Sequence, residues 1–297
     1  MIATAKTWLA AARPHTLSAA VVPVLVGSAL ARALGAWDGW LFAATLGASV
    51  LVQIGANLTD EYADHGATAS AHKYLAPHKV IARGLLGERA VKRGAAAVFA
   101  LATLIGAWLV WRTGWPLLLL CLVALAVAWA YSAGPLPLGD HALGEPLVFV
   151  VMGPLMVAGT AYVQTGALEP LALGFGLPVA ALVANILVAN NLRDEEEDRR
   201  TGRRTLVTTL GPAAMRAVYR ALLALAYAVP TLAFAQGRGG PWLLLPWLTL
   251  PLALRLSGWV RARERDTLHR ALLGSSALHL LFGLLLAVGL LTLPPGR

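Results

Sequence analysis

Apolar residues in this chain do not alternate and do not keep to one helical face. They come in long unbroken runs separated by short polar segments. A helix needs about 20 consecutive apolar residues to cross a bilayer. Runs of that length predict nine spanning helices, at about 16–35, 41–58, 93–111, 115–132, 145–164, 170–192, 212–235, 241–257 and 270–291. Pro23, Pro154, Pro178 and Pro230 fall inside these runs. Spanning helices tolerate proline where neighbouring helices satisfy the freed backbone groups.

Composition points the same way. Of 297 residues, 58% are hydrophobic and 13% charged, about half the charged share of a soluble domain. Mean hydropathy is +0.67. Residues 1–15 are only mildly apolar and lead into a full-length run, so no cleavable leader is expected. The single Cys121 excludes an intrachain disulfide and a cysteine metal cluster.

The net charge of +9 could suggest nucleic acid, but the basic residues sit in loops between apolar runs, and no recognition pattern accompanies them. With nine crossings, 18 of the 24 basic residues fall on the side of the N-terminus and four on the other. The positive-inside rule then makes the N-terminus and loops 2–3, 6–7 and 8–9 cytoplasmic.

Acidic residues are scarce and clustered. Of 15, three lie within Asp60–Asp64 and five within Asp194–Asp198. Asn57, Asp60 and Asp64 recur as Asn191, Asp194 and Asp198 at a constant offset of 134. This suggests one domain, 1–297, with related halves at about 12–135 and 145–260. Residues four apart share a helix face, so two such faces turned together would surround a small space with carboxylates. Hard oxygen ligands of this kind suit Mg²⁺, which also takes phosphate oxygens. Glu195, Glu196 and Glu197 cannot all face inward and read mostly as solvated. Lys79, Arg83, Arg203 and Arg204 follow the clusters and could hold a diphosphate.

At these motifs the sequence resembles the UbiA superfamily of intramembrane prenyltransferases, most closely its MenA-type 1,4-dihydroxy-2-naphthoate prenyltransferases. The supporting stretches are Ala12–Leu17, Asn57–Asp64, Tyr131–Pro135 with Leu143–Glu145, and Asn190–Asp198 continuing through Gly202–Leu206. The resemblance implies an all-α membrane fold of about nine helices, two four-helix repeats plus one, around a central cavity. It implies transfer of a polyprenyl group from its diphosphate to 1,4-dihydroxy-2-naphthoate, with decarboxylation to demethylmenaquinol. Mg²⁺ would be held by Asp64, Asp194, Asp198 and Asp60 or Glu61. Asn57, Asn190 and Asn191 would orient ligands, and Lys79, Arg83 and Arg203 would hold the diphosphate. Tyr131 and Glu145 would face the aromatic acceptor.

Two departures stand out. The internal repeat nominates Asp60 as the first metal ligand, whereas the resemblance nominates Glu61, with Asp60 at a usual asparagine and Thr68 and Ser70 at a usual Gly and Asp. Lys79 replaces a frequent arginine, a point charge in place of a fork. The expected setting is the plasma (inner) membrane of a prokaryote, with the site facing the cytoplasm. The alternatives are a different acceptor, such as 4-hydroxybenzoate or homogentisate, and a secondary transporter. Acids at span ends, beside basic partners, fit phosphate handling better than midplane ion coupling.

Overall fold

The computed structural model describes residues 5–67, 79–133 and 137–293, with the side chains of 64–67 excluded. Each apolar run is helical. Helix α1 (Ala5–Ala12) and a 3₁₀ turn lead through a 55° bend into α2 (Ser18–Ala33). Helices α3 (Gly39–Ala67) and α4 (Glu88–Thr113) pack along each other, and α5 covers Pro116–Ala130. One further span joins α6 (Gly144–Val150), a π turn at Val151–Leu155, and α7 (Met156–Thr165). Then come α8 (Pro170–Thr201), α9 (Leu206–Leu210) and α10 (Pro212–Ala235). A 3₁₀ run, Pro241–Thr249, continues into α11 (Leu250–Trp259), and α12 spans Arg265–Leu290. No strand occurs among the described residues, only an isolated bridge between His141 and Arg204.

By length and composition, six helices can cross a membrane, or seven if the bent pair counts as one span. Nine were expected. Helix α5 has 15 residues, about 22 Å at 1.5 Å per residue, against a hydrocarbon core of about 30 Å. The other shortfall lies at Pro241, Pro246 and Pro251, where part of the run takes the 3₁₀ form.

Helix α8 is central, packing on α2, α6, α7, α10 and α12. Without a hydrophobic force between helices in lipid, small residues at the contact let backbones approach. At Gly176 an added Cβ would sit 2.5 Å from Pro154 Cα, and at Gly153 it would sit 2.2 Å from Ala180 Cβ. Leu104, Trp111, Trp115, Leu119 and Leu254 are exposed on the outside, the surface that acyl chains would cover.

Both motif helices continue through their acidic clusters. In α8, Glu195–Arg199 and Glu196–Arg200 ion pairs at (i, i+4) support the last turns, and Gly202 ends the helix at φ +75. Thr205 and Thr208 then form a capping box that starts α9.

The ends of the bundle are tied separately. At one end, Ala142 N–H donates to Arg204 O (2.7 Å) and Arg204 N–H to Asp140 O (3.2 Å). At the other, Asp38 N–H donates to Gln164 Oε1 (2.8 Å), and Tyr162 Oη donates to Thr113 O (3.0 Å).

Candidate active site

The two motif helices meet over a cavity of about 300 Å³. Val52, Gln53, Ala56, Asn57 and Asp60 of α3 line it, as does the α8 stripe of Asn190, Asp194 and Asp198. Lys79, Tyr131, Ser132 and Arg203 enter from three loop segments. The remaining wall is apolar, built from α5 (Ala124, Val127), the α6–π segment (Leu147, Val151, Met152) and α8 (Val183, Leu187). A polar mouth thus opens onto a greasy chamber.

Each described carboxylate in the mouth faces a guanidinium. Arg13 Nη2 lies 2.6 Å from Asp60, and Ser132 Oγ donates to Asp60 Oδ1 (3.0 Å). Arg13 adopts the left-handed conformation (φ 50) at the bend after α1. The side chain that leaves this bend is the one paired with Asp60. Arg193 Nε and Nη2 clamp Asp194 at 2.8 and 2.5 Å, and Arg265 Nη2 reaches Asp194 (3.1 Å) and Glu197 (3.3 Å). Arg203 Nη1 lies 3.6 Å from Asp198, and its Nε donates to Asp140 Oδ1 (2.5 Å). Burial opposes the Arg203 charge, but Asp198, Tyr131 and Asp140 outweigh it and raise its pKa. It stays a cation throughout the working pH range.

Five basic side chains (Arg13, Lys79, Arg193, Arg203, Arg265) and four acidic ones (Asp60, Asp194, Glu197, Asp198) line the described cavity. Guanidinium and ammonium groups gathered at one mouth suit an anion. Among the described residues, no three His, Cys, Asp or Glu side chains cluster tightly enough to hold a metal by themselves. The available donors are carboxylate and amide oxygens, the set that Mg²⁺ accepts when substrate phosphates and waters complete its shell.

The expected residues are therefore distributed unevenly. Asn57, Asp60, Lys79, Tyr131, Asn190, Asp194, Asp198 and Arg203 line the cavity. Asn57 Nδ2 donates to Ala12 O and Thr16 Oγ1 (both 2.8 Å), bracing α3 against the bend. Asn191 and Glu145 lie one layer behind the cavity, Asn191 Nδ2 donating to Glu145 Oε1 (2.9 Å). They join α8 to α6, and Glu145 does not face the ligand space. Arg83 is exposed, outside the lining. Glu61, one residue past Asp60, is rotated about 100° away and 1% exposed. The Asp64 side chain, with Thr68 and Ser70, lies outside the described residues.

Sequence reasoning overlooked Arg13, Arg193, Arg265 and Glu197. It counted Arg13, Arg193 and Arg265 only toward topology and left Glu197 among three glutamates read mostly as solvated. Arg193 sits inside the second motif and Arg13 in the Ala12–Leu17 stretch, so both carried a local signal; Arg265 had none.

Comparison with known proteins decides the family. The UbiA prenyltransferase family profile matches residues 20–283. This chain belongs to that family. Among its curated relatives, 1,4-dihydroxy-2-naphthoate octaprenyltransferase of Bacillus subtilis (strain 168) is 31% identical, the match covering 94% of this chain and 90% of that protein. The protein of the same name from Mycobacterium tuberculosis is 34% identical, covering 86% of each. A UbiA homolog from Aeropyrum pernix K1 shares the UbiA fold at TM-score 0.70 and 19% identity, covering 91% of this chain and 96% of that one. A UbiA homolog from Archaeoglobus fulgidus, solved with GPP and Mg²⁺, superposes at TM-score 0.62 and 16% identity, covering 95% and 100%.

Proposed function

We propose that this UbiA-family member is a 1,4-dihydroxy-2-naphthoate polyprenyltransferase of menaquinone biosynthesis. The observation that carries the reading is one cavity with an arginine-and-carboxylate mouth and an apolar chamber. A prenyl diphosphate has the same two-part chemistry. The bacterial relatives at 31% and 34% identity carry the acceptor in their names.

Asp60, Asp64, Asp194 and Asp198 would hold Mg²⁺, with Asn57 and Asn190 orienting ligands or waters. Bound Mg²⁺ supplies Lewis-acid stabilisation of the departing diphosphate and a template for its oxygens. Arg13, Lys79, Arg193, Arg203 and Arg265 provide charge-assisted donors for the same anion. The C–O bond to the diphosphate breaks, and the apolar wall keeps water from the allylic cation. The naphthoate ring attacks from its carboxylate-bearing carbon, and the C–COO⁻ bond breaks to release CO₂ and restore aromaticity. Tyr131 and Ser132 stand at the mouth, where they can border the acceptor.

Nine crossings and two related halves remain the preferred topology. Lys79 and Tyr131 border one cavity, while Thr113 is bound to Tyr162 at the opposite end, which supports α4 and α5 as successive crossings. The Pro241–Trp259 segment measures about 33 Å as nine 3₁₀ and ten α residues, long enough to span. The basic loops then face the cytoplasm and the apolar spans line a path for the prenyl tail.

Membranes containing the protein, supplied with labelled polyprenyl diphosphate and Mg²⁺, should consume 1,4-dihydroxy-2-naphthoate with stoichiometric release of carboxyl-labelled CO₂. Turnover of 4-hydroxybenzoate or homogentisate instead would overturn the acceptor assignment. Arg203→Lys should raise the KM for the prenyl diphosphate about tenfold, since a point charge loses the fork's second hydrogen bond. An unchanged KM would remove Arg203 from the diphosphate site.

A further inference from the structure

We infer that Glu61 is a positioning residue that tethers the Lys79–Leu86 turn to α3, so that Lys79 enters the cavity. This rests on the diphosphate role given to Lys79 above.

Helix geometry sets the division of labour. Asp60 belongs to the α3 stripe that faces the cavity. Glu61 therefore faces the other way, toward a cluster of Ala11, Leu58, Val80, Ile81, Leu86 and Val91. Its Oε1 accepts the Ile81 N–H at 2.9 Å in fully buried surroundings. Without that acceptor the Ile81 donor would be stranded among apolar side chains, which a folded chain strongly disfavours.

The turn is knotted by its own backbone bonds. Arg83 N–H donates to Lys79 O (3.1 Å), Gly84 N–H to Ile81 O (2.9 Å) and Leu85 N–H to Val80 O (2.9 Å). Gly84 takes φ +69, which glycine adopts without strain. Val80 and Ile81 plug the turn into the α1–α3–α4 cluster, and Glu61 fixes its rotation through Ile81. Lys79, two residues earlier, then reaches the cavity from a turn whose rotation this bond helps to set. Glu61 is absent from the cavity lining that Asp60 shares.

The test uses the full-length protein in membranes or detergent, with Mg²⁺ and inorganic diphosphate as probes. Glu61→Gln keeps an acceptor for Ile81. It should leave the Mg²⁺ half-saturation, the diphosphate inhibition constant and hydrogen exchange across residues 79–86 within about twofold of the parent. Glu61→Ala should speed exchange in that segment and weaken diphosphate inhibition about tenfold, matching Lys79→Ala and adding little to it, the scale of one hydrogen bond to a charged group. If the alanine variant does not accumulate, Glu61→Met fills the volume without an acceptor and should behave the same way.

A tenfold or larger rise in Mg²⁺ half-saturation for Glu61→Gln would make Glu61 a metal ligand and end the proposal. So would unchanged exchange in Glu61→Ala and Glu61→Met. Weakened inhibition in Lys79→Ala alone would reject the tether. Unchanged inhibition in both would instead reject Lys79 as a diphosphate contact, and with it the tether's purpose.

Discussion

Asp194→Ala and Asp198→Ala are each expected to lower Mg²⁺-dependent prenyl transfer by about 10³-fold while the protein still accumulates in membranes. Both side chains line the polar mouth, and both face cations: Asp194 the Arg193 and Arg265 guanidinium groups, Asp198 that of Arg203. Removing either carboxylate leaves positive charge uncompensated and deletes a metal ligand, so the ionising diphosphate loses stabilisation where its charge grows. One lost electrostatic contact of this kind costs about 10²- to 10³-fold in rate, and a metal ligand belongs at or above the upper end. The measurement is product formation against Mg²⁺ concentration, with chelator-treated parent membranes as the zero point. Full activity in either variant, at any Mg²⁺ level, would dismantle the proposed metal clamp. The tether test separates from this one because Glu61→Gln should keep the parent Mg²⁺ response.

Gly176→Val should abolish folded protein rather than catalysis. The α8 backbone meets the π turn so closely that a Cβ at 176 would lie 2.5 Å from Pro154 Cα and 2.9 Å from Pro154 N. Those are main-chain atoms and cannot rotate aside. Overpacking commonly costs about 1–3 kcal/mol and sometimes more, and a backbone clash at the central helix belongs at the high end. Gly174→Val, two residues earlier, meets nothing within 4 Å and should be tolerated. Thermal stability in detergent and membrane yield report the difference; equal stability of the two variants would show that the helices can part without penalty.

The fold was legible in the sequence because apolar run length is a strong signal, and each of the nine runs became helix. Its count was less so. Helix α5 stops at 15 residues, and the prolines after Gly240 split another run into a 3₁₀ and an α piece, so neither forms one long spanning α-helix. Of the repeated pairs, Asn57 and Asp60 with Asn191 and Asp194, three residues line the cavity. Asn191 instead turns back to Glu145, because equal spacing along two helices does not fix equal rotation about their axes. The arginines were harder to read. In a membrane protein a loop cation counts first toward orientation, and only the packed structure reveals that Arg13 and Arg265 bend back onto carboxylates.

The π turn at Val151–Leu155 adds a residue's worth of rotation inside a single membrane span. Before it, Glu145 looks toward Asn191 on α8; after it, Val157 and Thr160 receive Gly27 of α2. An uninterrupted α-helix turns about 100° per residue and would have to give up one neighbour to keep the other. The widened turn thus works like an offset coupling in a drive shaft, letting one rod mesh with two gears that are out of phase. Excising a single residue there would spin one half of the rod against the other, so tolerance of that deletion is a direct gauge of how much both meshes matter.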